Sequence, residues 1–237
     1  MFKRSGLCYF NIMSIRKIML VKGEIYHVFT KSIADYRIFN QEDDFERMRQ
    51  LIKYYQNEND LRLSYFIKLK FVQEVGFDDA FNITSKDKNS TVQIIGYCFM
   101  PTHIHLLIKQ LTENGISHFM SNILNGYTRY FNTIHKRKGP LWESRFKSVL
   151  VSADEQLLHV TRYVHLNPVT AKLTNRLEGW TFSSYKEYLG QVKDNLTICQ
   201  FDNILEVKPS LYRKFVNDQI SYQRELAKIK HLVLDET

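Results

Sequence analysis

Residues 97–108 read Tyr97-Cys98-Phe99-Met100-Pro101-Thr102-His103-Ile104-His105-Leu106-Leu107-Ile108. Residues 91–99 and 103–109 read as two strands joined at Pro101-Thr102. Successive side chains on a strand alternate faces, so His103 and His105 point one way while Ile104, Leu106 and Ile108 enter a core. One face of this strand binds and the other holds. Two neutral imidazoles at that spacing can hold a single divalent ion. A pair of hydrogen-bonded strand histidines is the structural alternative, and the surrounding chain has to decide.

Working outward, Glu24 to Ser32 alternates as a strand. Asn40 can cap a helix with acids in its first turn and an apolar stripe of Phe45, Met48, Leu51, Ile52 and Tyr55. A helix from Ile116 to about His135 follows, then a strand from Arg145 to Val151. Ser152 and Glu155 form a capping box with Asp154 in the first turn, which starts a helix near residue 153, and Pro168 stops it. The order β-α-β-β-α-β plus one helix predicts an α+β fold. It is a ferredoxin-like split βαβ antiparallel sheet with helices on one face, plus the helix from 153 and a helical C-terminal extension. The two central strands carry the active face.

At 100° per residue the helix from 153 buries Leu157, Val160, Thr161 and Val164, while Gln156, His159, Tyr163 and Asn167 share an adjoining face. Tyr163 and Asn167 therefore project together. A shoulder tyrosine and an asparagine closing the helix would look the same, and Pro168 biases Asn167 away from helical dihedrals.

Four blocks carry a resemblance: residues 97–108, Gly126-Tyr127-Thr128-Arg129-Tyr130-Phe131-Asn132, Gly139-Pro140-Leu141-Trp142-Glu143-Ser144-Arg145-Phe146-Lys147-Ser148, and Arg162-Tyr163-Val164-His165-Leu166-Asn167-Pro168-Val169. In this order they resemble the single-tyrosine HUH transposases, and most of all the REP-associated tyrosine transposases, over about residues 22–190. The resemblance implies that His103 and His105 bind Mg²⁺ or Mn²⁺, that Tyr163 is the nucleophile, and that Asn167 is a third metal ligand where many relatives have Gln. It implies a transposase-like enzyme that nicks and rejoins single-stranded DNA through a 5′-phosphotyrosine intermediate and binds hairpin DNA. Two other readings stand beside it: a metal-dependent phosphodiesterase that activates water, and a non-catalytic binder of single-stranded DNA or RNA. Relatives act as homodimers or alone, so both states are open.

A tyrosine hydroxyl suits phosphodiester transesterification, but its ordinary pKa near 10 makes phenolate scarce at pH 7, so a metal or basic neighbours must help. Tyr127 and Tyr130 are rival nucleophiles. They recur at helical spacing with Phe119 and Ile123, which packing explains. His118, His135, His159 and His165 read as surface or packing residues, and His27 as a residue that can line the site.

The chain has 33 Lys plus Arg against 25 Asp plus Glu, a formal charge of +8, which agrees with a nucleic-acid partner. The excess concentrates between Tyr127 and Leu150, where Arg129, Lys136, Arg137, Lys138, Arg145 and Lys147 meet a single acid, Glu143. With Tyr127, Tyr130, Phe131 and Trp142 around it, this stretch reads as a DNA-binding surface that tracks phosphates and stacks on unpaired bases. A solvated loop is the alternative.

The domain reading is an extension at 1–21, with Met13 or Met19 as alternative starts, a catalytic domain at 22–180, and a helical extension at 181–237. An insertion at about 61–90 has an apolar part, Leu63 to Val75, and a polar part, Phe77 to Ser90, that reads as a loop. Pro209 opens a helix-like tail to about Leu234. No apolar run approaches membrane-spanning length, and residues 1–20 lack a signal peptide's unbroken apolar region. Cys8, Cys98 and Cys199 are too few and scattered for a disulfide framework or a thiolate zinc site. A reducing cytoplasm is the expected location.

Overall fold

The computed structural model describes residues 19–220. Most of the N-terminal extension, and the tail beyond residue 220, lie outside the described residues. The elements are β1 (Ile25–Lys31), α1 (Glu42–Tyr55), α2 (Leu63–Phe66), α3 (Lys70–Val75), α4 (Phe77–Thr84), β2 (Val92–Met100), β3 (His103–Gln110), α5 (Gly115–Ile134), β4 (Lys147–Val151), α6 (Asp154–Thr170), α7 (Tyr185–Tyr188) and α8 (Pro209–Asn217).

The strands form one antiparallel sheet in the order β2-β3-β1-β4. This is the expected split βαβ topology, with the histidine strand β3 and its neighbour β1 at the centre. Even-numbered residues of those two strands, Tyr26, Val28, Ile104, Leu106 and Ile108, pack with α1 and α5 in the main core. Gly126 lets those two helices close up, since a Cβ there would stand 2.7 Å from Leu51 Cδ2. The opposite face is covered by α6, whose Leu157 and Val164 join Cys98, Leu107 and Val151. Covered on both faces, β2 is buried along its whole length, in keeping with its largely apolar sequence.

Residues after 180 are stitched to the edge of β2. Phe99 N–H donates to the Phe182 carbonyl at 2.9 Å and Ser184 N–H to the Tyr97 carbonyl at 3.0 Å, which occupies the edge. Between α7 and α8 the chain is largely irregular, and Tyr185, Tyr188, Tyr212 and Val216 pack with Leu166 and Val169 of α6 into a second cluster.

The structure corrects four local expectations. Phe77–Thr84 is helix α4 rather than loop. Asp78 accepts from Arg49 at 2.6 Å and from Lys53 at 2.7 Å, and Phe81 is buried against Tyr54, so long-range contacts order a segment that is polar in composition. Helix α1 begins one residue later than an Asn40 cap implies, because the Asp44 carboxylate accepts the N–H groups of both Asn40 and Gln41. At the start of α6, Gln156 rather than Glu155 reaches back to the Ser152 N–H, at 3.0 Å. Finally, α6 runs through Pro168 to Thr170. A proline in the last turn removes one hydrogen bond without a following helix to disrupt.

Candidate active site

The α6-facing side of the sheet is set by register. Across β1 and β3, His27 pairs with Leu107, Phe29 with His105 and Lys31 with His103. Across β1 and β4, Val149 pairs with His27 and Lys147 with Phe29. Directly opposed residues share a face, so His27, Phe29, Lys31, His103, His105 and Lys147 all lie on the side that α6 crosses.

The rings of His103, His105 and His27 follow one another there, and Tyr163 meets the last two. The His103 and His105 centroids are 5.1 Å apart with planes at 84°. Tyr163 stands edge to face with His105 at 5.8 Å and with His27 at 5.9 Å. His27 Nε2 lies 3.0 Å from His105 Nδ1, and Thr102 Oγ1 lies 3.0 Å from His103 Nδ1. Each histidine of the β3 pair therefore has Nδ1 engaged by a neighbour.

Burial dominates the electrostatics. It lowers His27 to a pKa of about 4, and His103 to about 4 with help from Lys31. His105, 6% exposed, is held well below the ordinary range by burial, then by His103 and His27. All three rings are thus neutral at pH 7 and carry lone pairs. Burial also raises Tyr163 above its ordinary value, against a lowering influence of the Asn167 side chain. Tyr163 nevertheless remains 45% exposed, open to a ligand from solvent.

Asn167 is adjacent on the same helix face. Its Nδ2 donates to the carbonyls of Tyr163 at 3.1 Å and Val164 at 3.4 Å. Among the described residues no three His, Cys, Asp or Glu side chains converge into a cage. The two neighbouring imidazoles of His103 and His105 are fewer ligands than a closed protein metal site needs, and suit only an ion that takes most of its shell from elsewhere.

The rival tyrosines belong to the core. Tyr127 is fully buried and donates to the Ile38 carbonyl at 2.7 Å. Tyr130 bonds Asp44 and is pushed up to about 12, chiefly by burial. His165 is likewise a packing residue, bonded to Tyr212 and Ser184.

Of the basic stretch, Arg129, Lys136, Lys138, Arg145 and Lys147 are exposed. Arg137 is committed to its own loop, donating to Asn132 Oδ1 at 2.9 Å and the Pro140 carbonyl at 3.1 Å. Trp142 is 9% exposed, packed against Tyr127 with Nε1 donating to the Leu124 carbonyl. This corrects the expectation that it stacks on bases: its ring is taken up by the core between α5 and β1. Lys31 carries no motif that marks it in the sequence. Its position opposite His103 follows from register, and the odd-numbered spacing of His27, Phe29 and Lys31 is a signal only that these three share a face.

Residues 78–167 match the family model of IS200-like transposases. A curated Haemophilus influenzae protein assigned as a REP-associated tyrosine transposase is 28% identical over 104 residues, which cover 39% of this chain. The match spans 58% of that relative's length. A solved structure of a REP-associated tyrosine transposase bound to a REP hairpin superposes with a TM-score of 0.49 at 14% identity, over 76% of this chain and 87% of that one. His103, His105, Tyr163 and Asn167 all fall inside the segment that the family model matches, and over that segment the chain is similar to the IS200-like transposases.

Proposed function

We propose that this chain is a DNA transesterase that cuts and rejoins single strands through Tyr163. The observation that carries the proposal is the packing of the Tyr163 ring against His105 and His27, which brings a phenol from a helix to a pair of neutral strand imidazoles.

In this reading Tyr163 Oη attacks a DNA phosphorus and loses its proton to solvent. The bond from phosphorus to the 3′-oxygen breaks, and that oxygen leaves as a 3′-hydroxyl after taking up a proton. The 5′-phosphate remains esterified to Tyr163. Attack by another DNA 3′-hydroxyl reverses these bond changes and restores the phenol, so no nucleotide cofactor is consumed. Mg²⁺ or Mn²⁺, held by His103, His105 and Asn167, would neutralise charge on a non-bridging phosphate oxygen. Lys31 and Lys147 share the histidine face and would meet the phosphates beside the cut, while Arg129, Lys136, Lys138 and Arg145 follow the strand further out. Hairpin DNA as the preferred substrate follows the family resemblance. Because Tyr163 reaches His105 within one chain, the reading needs no second copy to complete the constellation.

The test is incubation with an oligonucleotide bearing a palindromic hairpin and a single-stranded flank, in Mn²⁺. A protein–DNA adduct that survives denaturant is expected for the wild type, none for Tyr163→Phe, and a strong loss for His103→Ala. Cleavage retained by Tyr163→Phe would overturn the covalent reading in favour of a metal-dependent phosphodiesterase, and binding without cleavage in favour of a non-enzymatic binder.

A further inference from the structure

We infer that His27 is a positioning residue that fixes the tautomer of His105, accepting a hydrogen bond from His105 Nδ1–H and so leaving His105 Nε2 as a bare lone pair. The inference builds on the proposed cation site. The His27 and His105 centroids are 5.2 Å apart with planes 17° apart, and the facing nitrogens are at 3.0 Å. Rings that are nearly coplanar and meet nitrogen to nitrogen form an N–H···N hydrogen bond rather than a face-to-face stack.

Two neutral imidazoles meeting in this way share one proton between the facing nitrogens, and only two arrangements exist. If His27 Nε2–H donates, His105 carries its own proton on Nε2, and that nitrogen cannot bind a cation. If His105 Nδ1–H donates, its Nε2 is free, and His27 holds its proton on Nδ1. His103 has the matching arrangement, with Nδ1 against Thr102 Oγ1, an oxygen able to accept. Both members of the pair then present the same nitrogen.

The sheet explains why His27 can do this. Its direct partner is Leu107, whereas Phe29 opposes His105, so His27 meets His105 on the diagonal of an antiparallel ladder. Phe29 lies 5.2 Å from the His27 ring and 6.0 Å from the His105 ring, and Tyr163 closes on both. The pair is enclosed on several sides, and a hydrogen bond to the nitrogen away from the cation is what orients metal-binding histidines in general.

The experiment uses the full chain with ¹⁵N-labelled histidine. Two-bond ¹H–¹⁵N correlations without metal at neutral pH report the tautomer, and paramagnetic resonance of free Mn²⁺ reports affinity. His27→Gln keeps an acceptor, and His27→Phe keeps the bulk without one. His105 is expected as the Nδ1–H form in wild type and His27→Gln. In His27→Phe the Nε2–H form should appear and Mn²⁺ affinity fall about ten- to hundredfold. His105 protonated at Nε2 in the wild type, or His27→Phe changing neither readout, would overturn the inference. A wild type with the expected tautomer and its loss in His27→Phe, but no Mn²⁺ binding, would support the tautomer assignment while removing the metal from the proposed function.

Discussion

The side-chain amide of Asn167 covers the carbonyl of Val164, the group that Pro168 strands by having no N–H to donate. The bond is long, at 3.4 Å, and is shared with the Tyr163 carbonyl at 3.1 Å. Asn167 thus closes the last turn of α6 while standing beside Tyr163, and this structural role can be separated from the proposed role in the site. Asn167→Ala should cost about 1 kcal/mol of stability by removing these bonds. Adding Pro168→Ala restores an N–H for Val164 and should return most of that stability. Adduct formation should stay low in both variants if Asn167 also serves the site. Urea unfolding with the adduct assay checks this, and recovery of adduct in the double variant would confine Asn167 to closing the helix.

In the proposed reaction Tyr163 would set the pH dependence of the first step. Burial raises its pKa above 10, so the phenolate fraction grows about tenfold per pH unit throughout the accessible range. The rate of adduct formation under single-turnover conditions should therefore climb from pH 7 to pH 9 without levelling. A plateau starting below pH 8 would mean that bound DNA and cation lower the phenol pKa by several units.

Periodicity accounts for what is legible in the sequence. The strand period of two places His103 and His105 together, and the helical period places Tyr163 beside Asn167, because local geometry alone decides which side chains share a face. Connection rules then supply the sheet order. Register is not legible: that His27 meets His105 diagonally and Lys31 opposes His103 depends on how β1 slides against β3, which no local pattern encodes. Helix α4 escapes a local reading because Arg49 and Lys53, on a different helix, hold Asp78. Trp142 misleads because an aromatic among basic residues has the composition of a base-stacking site whether or not it is buried.

Burial also divides the basic stretch into two classes of mutant. Replacing exposed Lys136, Lys138 and Lys147 by Ala should leave the unfolding midpoint nearly unchanged. It should weaken single-stranded DNA binding and lower the slope of log affinity against log salt by about 0.7 for each phosphate no longer neutralised. Trp142→Ala should behave oppositely, costing about 3 kcal/mol or more of stability through the emptied core site. Fluorescence-anisotropy titrations at several salt concentrations, alongside urea unfolding, distinguish the two. An unchanged salt slope in the lysine variant would remove this patch from the DNA path.

His165 makes the fold sensitive to acid. Its ring is 1% exposed, with Nδ1 at 2.7 Å from Tyr212 Oη and Nε2 at 2.8 Å from Ser184 Oγ, and burial lowers its pKa from 6.5 to about 3. Between those values the unfolded chain takes up a proton that the native chain refuses. Stability therefore falls as pH drops through that window and is fully present above about 7. From pH 7 to pH 5 this residue alone should remove about 2 kcal/mol. His27 and His103, lowered to about 4, act in the same direction. His165→Gln removes one titration while keeping a donor and an acceptor. It should start less stable at pH 7, because two buried hydroxyls lose well-fitted partners, but lose less on going to pH 5. Urea midpoints of both proteins at the two pH values give the comparison, and equal losses would show that His165 protonates in the native state without penalty.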